Sequence, residues 1–197
     1  MKKQLFTFAL LFCFSGLFAQ TQWAIDKSHT NIRFTVTHML ISEVDGNFQD
    51  FIGTVSSPGP DFVGSEVAFT AKATSIYTDN ERRDNHLRGA DFFDAEKYPD
   101  ITFSGKITKE GEKYFLVGDF TMKEVTKPIK FDVKYNGQVP GGRGAKAGFK
   151  VSGTINRFDY GLNWNRALEA GGLVVADEVQ ITCNVELNEV VPEEAKN

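Results

Sequence analysis

Cysteine is almost missing from this chain. Of its 197 residues only Cys13 and Cys183 are cysteine, and Cys13 lies in an N-terminal apolar stretch that reads as a leader, so the chain left after cleavage can form no internal disulfide. Histidine is scarce as well, at positions 29, 38 and 86. None of the three stands in a short metal signature such as His-Glu-x-x-His. No Gly-x-Ser-x-Gly elbow occurs, and Ser28 beside His29 is mere adjacency. The run Gly141-Gly142-Arg143-Gly144 lacks the Gly-Lys-Ser/Thr ending of a phosphate loop and leads toward a strand. No catalytic residue, metal ligand or cofactor is therefore expected; a metal or an enzymatic centre built on the three histidines and nearby acids is the alternative.

Basic charge is also short. Lysine and arginine number 22 against 26 acids, a net charge of −4, and removal of Lys2 and Lys3 with the leader makes the chain two units more negative. Nucleic acids and anionic membranes select basic faces, so neither is expected to be a partner held by bulk electrostatics. Long apolar runs are limited to one, Leu5 to Phe18, which follows Lys2 and Lys3 and ends in small-residue context at Ala19. It is shorter than the ~20 residues that span a bilayer. This is the layout of a cleavable signal peptide over residues 1–19, with cleavage near Ala19 and export of the remainder without stable membrane insertion. Phe12 stands where a small residue would precede a lipidated Cys13, which argues against lipoprotein processing. One domain over residues 20–191 and a polar tail over 192–197 remain.

What is present is alternation. Ile32, Phe34 and Val36 alternate with Arg33 and Thr35. The same pattern runs through Ile129, Phe131, Val133 and Tyr135, through Phe149, Val151, Gly153 and Ile155, and through Val179, Ile181, Cys183, Val185 and Leu187. Side chains of a strand point to opposite faces in turn, so each segment has one apolar and one polar side, as in an antiparallel sheet wet on one face. Weaker strands read at 46–55, 66–76, 101–108 and 114–122, with turns at Ser57-Pro58-Gly59-Pro60, Glu110-Gly111 and Asn136-Gly137. The total is eight or nine. Between Asp79 and Pro99 the rhythm breaks, and two short helices are expected there, the first capped by Asn80 and stopped by Gly89, the second opening near Asp91 and Asp94 and stopped by Pro99.

So many strands must hide their edges, either as a two-sheet sandwich or as a closed barrel. Glycines within strands, at 46, 53, 105, 118 and 153, suit the bends of a barrel. A solid-core sandwich serving as an interaction domain is the rival. Cys183 falls on an apolar strand face, where a thiol is expected to be inert. Arg82 to Arg88 is the densest polar cluster; as a helix it places Arg83, His86 and Leu87 on nearby faces, able to cap a barrel mouth or to pin the helix to the sheet. A solvated helix face with a few ion pairs is the plainer reading.

The segment Trp23-Ala24-Ile25-Asp26-Lys27-Ser28-His29-Thr30, leading through Ile32-Arg33-Phe34-Thr35-Val36-Thr37-His38, resembles the opening of the YceI-like family. The resemblance continues in Arg83-Asp84-Asn85-His86-Leu87, Asp91-Phe92-Phe93-Asp94, Tyr98-Pro99-Asp100-Ile101-Thr102-Phe103, Val125-Thr126-Lys127-Pro128-Ile129 and Arg157-Phe158-Asp159-Tyr160-Gly161. These run in the family's order over nearly the whole chain after the leader. Two positions depart: Glu124 where the family usually has Gly, and Gly89-Ala90 in place of a Ser-containing step.

The resemblance implies an all-β, lipocalin-like antiparallel barrel of eight strands with the helical insertion around residues 80–98. It further implies a periplasmic or secreted protein whose elongated apolar cavity holds an isoprenoid lipid or quinone, for transport, storage or stress protection. A homodimer is compatible with this. The apolar strand phases then give an expected lining: Phe34, Val36 and Phe48 early in the chain, Phe69 and Phe103 in its middle, Phe131, Val133, Phe149, Val151 and Ile155 later, and Ile181 near its end. Arg83 and His86 are the candidates for a lipid headgroup.

Overall fold

The computed structural model describes residues 20–167 and 173–192; the leader assigned to residues 1–19 and the last five residues of the tail lie outside these. Eleven strands appear: β1 Thr21–Ile25, β2 Asn31–His38, β3 Ser42–Phe48, β4 Phe51–Ser57, β5 Glu66–Lys72, β6 Ile76–Tyr77, β7 Asp100–Glu110, β8 Lys113–Met122, β9 Val125–Val139, β10 Lys146–Asn156 and β11 Val175–Glu189. One helix, α1 Glu81–Arg88, and two single turns of 3₁₀ helix at Ala73–Ser75 and Arg157–Tyr160 complete the set. All pairings between strands are antiparallel.

Eight strands close a ring in the order β1-β4-β5-β7-β8-β9-β10-β11, sealed where β11 meets β1. The expected barrel is therefore observed, and the two-sheet sandwich is not. The excess over eight or nine strands has a physical source. The first three strand positions are each broken in the middle, giving β1 and β2, β3 and β4, and β5 and β6. β1, β4 and β5 join the ring, while β2 pairs with the other half of β11, β3 with β2, and β6 with β3.

The breaks fall at one level and are tied across it. The Gln49 N–H donates to Ser75 O (3.1 Å), the Lys72 N–H to Asp50 O (2.8 Å), and Ser75 Oγ to Lys72 O (2.7 Å). Thus the uniform strands read over 46–55 and 66–76 are instead corners, where backbone groups leave one ladder and are satisfied in another. Five-residue β1 carries little alternation of its own and escaped the sequence reading altogether.

Between Tyr77 and Asp100 one helix forms where two were expected. The Asn80 side chain accepts the Arg83 N–H at 2.9 Å, the N-cap read from sequence. Gly89 ends the helix in an extended conformation, its N–H donating to His86 O. The second helix is replaced by turns: Asp94 is left-handed at φ 48°, and the Phe93 and Ala95 N–H groups reach back to Leu87 O and Arg88 O. Adjacent Phe92 and Phe93 are both buried by this arrangement, which a continuous helix, with neighbours 100° apart, would not achieve as readily.

Two apolar clusters fill the ends of the barrel. At the end away from α1, Phe62 is fully buried, with its ring centroid 5.0 Å from those of Trp23 and Phe149 and 5.5 Å from that of Tyr135. The Ser57–Ser65 loop holds it there, the Phe62 N–H donating to Gly59 O and the Gly64 N–H to Ile107 O. At the α1 end Phe92, Phe93, Phe120, Tyr160 and Leu162 gather.

Candidate functional site: an apolar cavity through the barrel

Between those clusters runs a cavity of about 220 Å³. Every strand and α1 contribute to its wall, from Val55, Ile107 and Leu187 toward the Phe62 end to Phe92, Leu162 and Val175 at the α1 end. Packing defects in protein interiors rarely exceed a water molecule. An apolar cavity of about 150 Å³ stays dry and takes up apolar guests, and this one is larger with a wall almost devoid of polar atoms.

The strand pairing explains how the wall is assembled. Phe69 lies opposite Phe103, Val133 opposite Val151, and Phe34 opposite Ile181, so inward positions of adjacent strands coincide. Phe34, Val36, Phe48, Phe69 and Phe103 all face the cavity, as do Phe131, Val133, Phe149, Val151, Ile155 and Ile181. Bare backbone makes room for three of the rings, that of Phe103 against Gly105 and Gly118 among them. A Cβ at Gly46 would stand 2.3 Å from Phe34 Cζ, and one at Gly153 would stand 2.4 Å from Phe131 Cδ1.

Sequence alternation missed the contributions from outside the strands. Leu87 of α1 and Phe92, Phe93 and Leu162 of the adjoining segments also line the cavity. Leu87 is placed by sequence on a helix face able to cap a barrel mouth, and the adjacent Phe92-Phe93 within a polar stretch is the sequence signal for the others.

Arg83 and His86 do not line the cavity. The Arg83 guanidinium turns back along the chain, its Nε donating to Thr78 Oγ1 at 2.7 Å and Nη2 to Thr78 O at 2.5 Å. Thr78 is buried and also donates its N–H to the buried Asp84 carboxylate at 2.9 Å. Arg83 thus pins the helix to the sheet, the second of the two roles open to it. His86 is exposed, bonded to Asp91 at 3.0 Å, with its ring edge-on to Phe92 and Trp164.

Two cations reach the cavity wall: Arg33 of β2, which is exposed, and Arg157, which is 4 % exposed. The Arg157 guanidinium donates to backbone carbonyls only: Ala176 O from Nε (2.8 Å), Leu162 O and Trp164 O (3.0 Å) from Nη1, and Val175 O (3.1 Å) from Nη2. Four of its five N–H groups are thereby used and one on Nη2 is left over. Burial pushes its pKa below the usual arginine value, opposed by Asp177; arginine nonetheless stays charged.

Cys183 also faces the cavity, and burial pushes its thiol up to about 12. It presents a small apolar surface, as its place on the strand predicted. The histidines do not converge. His29 instead joins a network at the β1–β2 turn: Asp26 accepts from Ser28 Oγ at 2.5 Å and lies 3.0 Å from His29 Nδ1, while Lys146 bonds Glu186 at 2.6 Å and Asp26 at 3.3 Å. Asp26, His29 and Glu186 present ligand atoms to one another, but the Lys146 ammonium already sits on the oxygens a metal would need. Among the described residues no helix is long and apolar enough to cross a membrane.

A closed antiparallel barrel around an apolar cavity, plugged at one end and covered by a helix at the other, has the architecture of ligand-enclosing β-barrels. The family model described as the YceI-like domain matches residues 23–187, and the chain belongs to that family. A Staphylococcus aureus protein of the UPF0312 group is 36% identical over 170 residues, covering 85% of this chain and 98% of the relative. The crystal structure of a Campylobacter jejuni YceI protein superposes with a TM-score of 0.68 at 33% identity, covering 79% of this chain and 90% of that one. A polyisoprenoid binding domain from Saccharophagus degradans shares the fold at a TM-score of 0.64 and 14% identity, over 85% of this chain and 98% of its own.

Proposed function

We propose that this protein binds a long-chain isoprenoid lipid, of the polyprenyl phosphate or quinone type, in the barrel cavity, and that it does so as an exported protein in the aqueous space beside a membrane. The observation that carries the reading is the apolar cavity walled by eleven strands. Each methylene-sized unit of a tail moved from water into such a wall gains ~0.8 kcal/mol, so binding needs no strong polar contact. The Saccharophagus degradans domain of the same fold is described as binding polyisoprenoid, which supports the same ligand class here.

The tail enters with its end toward Phe62, and the polar head remains at the α1 end. There Arg157, buried beside the wall with one N–H left over, is the cation suited to a phosphate or quinone oxygen. Arg83 and His86 lie outside this path. The role is carriage or storage without catalysis. A signal peptide over residues 1–19, cleaved near Ala19, fits a function that calls for water outside the cytoplasm and a hydrophobic cargo. Organic extraction of the purified protein followed by mass spectrometry tests the reading. A polyprenyl species at near-stoichiometric amount is expected, and an empty extract from folded protein overturns it.

A further inference from the structure

The hairpin between β2 and β3 breaks two rules at once. His38 O accepts the Ile41 N–H at 3.3 Å, closing a β-turn whose central residues, Met39 and Leu40, both have positive φ, 52° and 65°. Turns of this hand favour Asn-Gly, because only such residues enter the left-handed region cheaply. Here two bulky apolar residues occupy it. All three remain exposed, increasingly toward Ile41: Met39 is 42 % exposed, Leu40 66 % and Ile41 86 %. Three consecutive large apolar residues thus stand outward on a strained turn.

The position of the turn gives it meaning. The Met39 N–H donates to Val174 O at 2.8 Å, and His38 pairs with Val175. Val175 and Val36 line the cavity, and Val175 O accepts from Arg157. The tip therefore flanks the α1 end of the cavity, one residue from its wall. Leu173 and Phe158, both about one-third exposed, lie on the same end.

We propose that Met39, Leu40 and Ile41 insert into the surface of a lipid bilayer and hold the cavity mouth against it while an isoprenoid passes. This deepens the carrier reading and rests on it. A protein partner suits the tip poorly, since specific interfaces bury about 800 Å² on each side and three convex side chains supply far less. Lipid chains, in contrast, conform to any apolar protrusion. The surrounding charge selects among bilayers: Glu43, Asp45, Asp177 and Glu178 lie on the neighbouring strand ends, against Arg166. Binding is therefore apolar, favours zwitterionic lipid and weakens little with salt.

The test is co-sedimentation of the mature protein with phosphatidylcholine vesicles and with phosphatidylcholine–phosphatidylglycerol vesicles, beside the double variant M39N/L40G. That variant gives the turn the residues its backbone wants, so it melts at or above the wild-type temperature and carries the same lipid load. Its vesicle-bound fraction falls about tenfold. In a second variant, Ile41→Trp, the indole emission shifts to the blue on phosphatidylcholine vesicles and is quenched by brominated lipid. Equal sedimentation of the wild type and M39N/L40G overturns the inference. A wild type that carries isoprenoid but ignores vesicles overturns it while leaving the carrier reading intact, and so does a dimer in solution that the double variant abolishes. An empty extract removes the carrier reading, and this inference with it.

Discussion

The ring of Phe131 occupies the volume that a side chain at position 153 would take, so close that a Cβ on Gly153 would stand 2.4 Å from it. The cavity keeps its bore at this level because the glycine lets the ring lie back against β10. A methyl group there must push the ring inward or distort the strand.

Gly153→Ala is accordingly expected to destabilise the fold by about 1–3 kcal/mol, the usual range for overpacking, and to lower the lipid recovered on extraction. Denaturant melts and the extracted lipid-to-protein ratio check the two effects together. A variant as stable as the wild type with a full lipid load would show that Phe131 has space to spare.

Arg157 makes a second prediction. Its planar fork reaches four carbonyls from two segments, Leu162–Trp164 and Val175–Ala176, and a lysine ammonium cannot reproduce that spread. Arg157→Lys should cost about 3 kcal/mol in unfolding free energy, since several charge-assisted bonds are lost. It should also loosen Leu162–Trp164 and Val175–Ala176, seen as faster amide hydrogen exchange at these residues than in the wild type.

The network at the β1–β2 turn makes stability depend on pH at both extremes. Hydrogen bonds from Ser28 and His29 hold the Asp26 carboxyl well below the usual carboxylate range. A depressed folded pKa stabilises fully above the unfolded value of about 4 and is lost as pH falls below it. The Glu186 carboxylate, then Asp26, raises the Lys146 pKa, so that contribution is complete below about 10.4 and fades as pH rises further. Asp26→Asn should therefore melt lower than the wild type at neutral pH, with the gap narrowing progressively below about pH 4. Melting temperatures across pH, compared between the two proteins, check this.

For Cys183, a thiol pushed up to about 12 by burial remains protonated and shielded at ordinary pH. In the protein lacking residues 1–19, Ellman's reagent should find no reactive thiol in the folded state at pH 8 and one after denaturation. Fast labelling of the native protein would mean that the cavity wall admits water and reagent at that level.

Much of the barrel was legible because its signal is local. Alternation in β9, β10 and β11 needs only neighbouring residues, and in a ring whose inward faces coincide across strands the same phase that marks Phe131 or Ile181 as apolar also marks the cavity wall. The corners were not legible, because nothing near Gln49 or Ser75 announces a break; the bonds that make it join residues about 25 positions apart. The second helix failed for a related reason: the capping signals near Asp91 were outweighed by the burial of both Phe92 and Phe93. The headgroup candidates show the limit most clearly. Arg83 and His86 stood out as charged residues in a dense cluster, yet Thr78 and Asp91 engage them, while Arg157 gave no sequence sign of its place on the wall. The family resemblance, by contrast, extended over almost the whole region matched, 23–187.

An empty apolar cavity leaves packing unrealised. At about 24 cal/mol per Å³, a volume of about 220 Å³ corresponds to a deficit on the order of 5 kcal/mol, which a bound tail recovers. The most direct measurement is therefore thermal unfolding of the purified protein before and after lipid is stripped with organic solvent, then after reloading with a polyprenyl phosphate or a quinone, with Phe131→Asp as the control. Stripping should lower the melting temperature by several degrees, reloading should restore it, and the folded Phe131→Asp variant should neither yield lipid nor respond. A stripped protein as stable as the native one and indifferent to added isoprenoid would contradict the account.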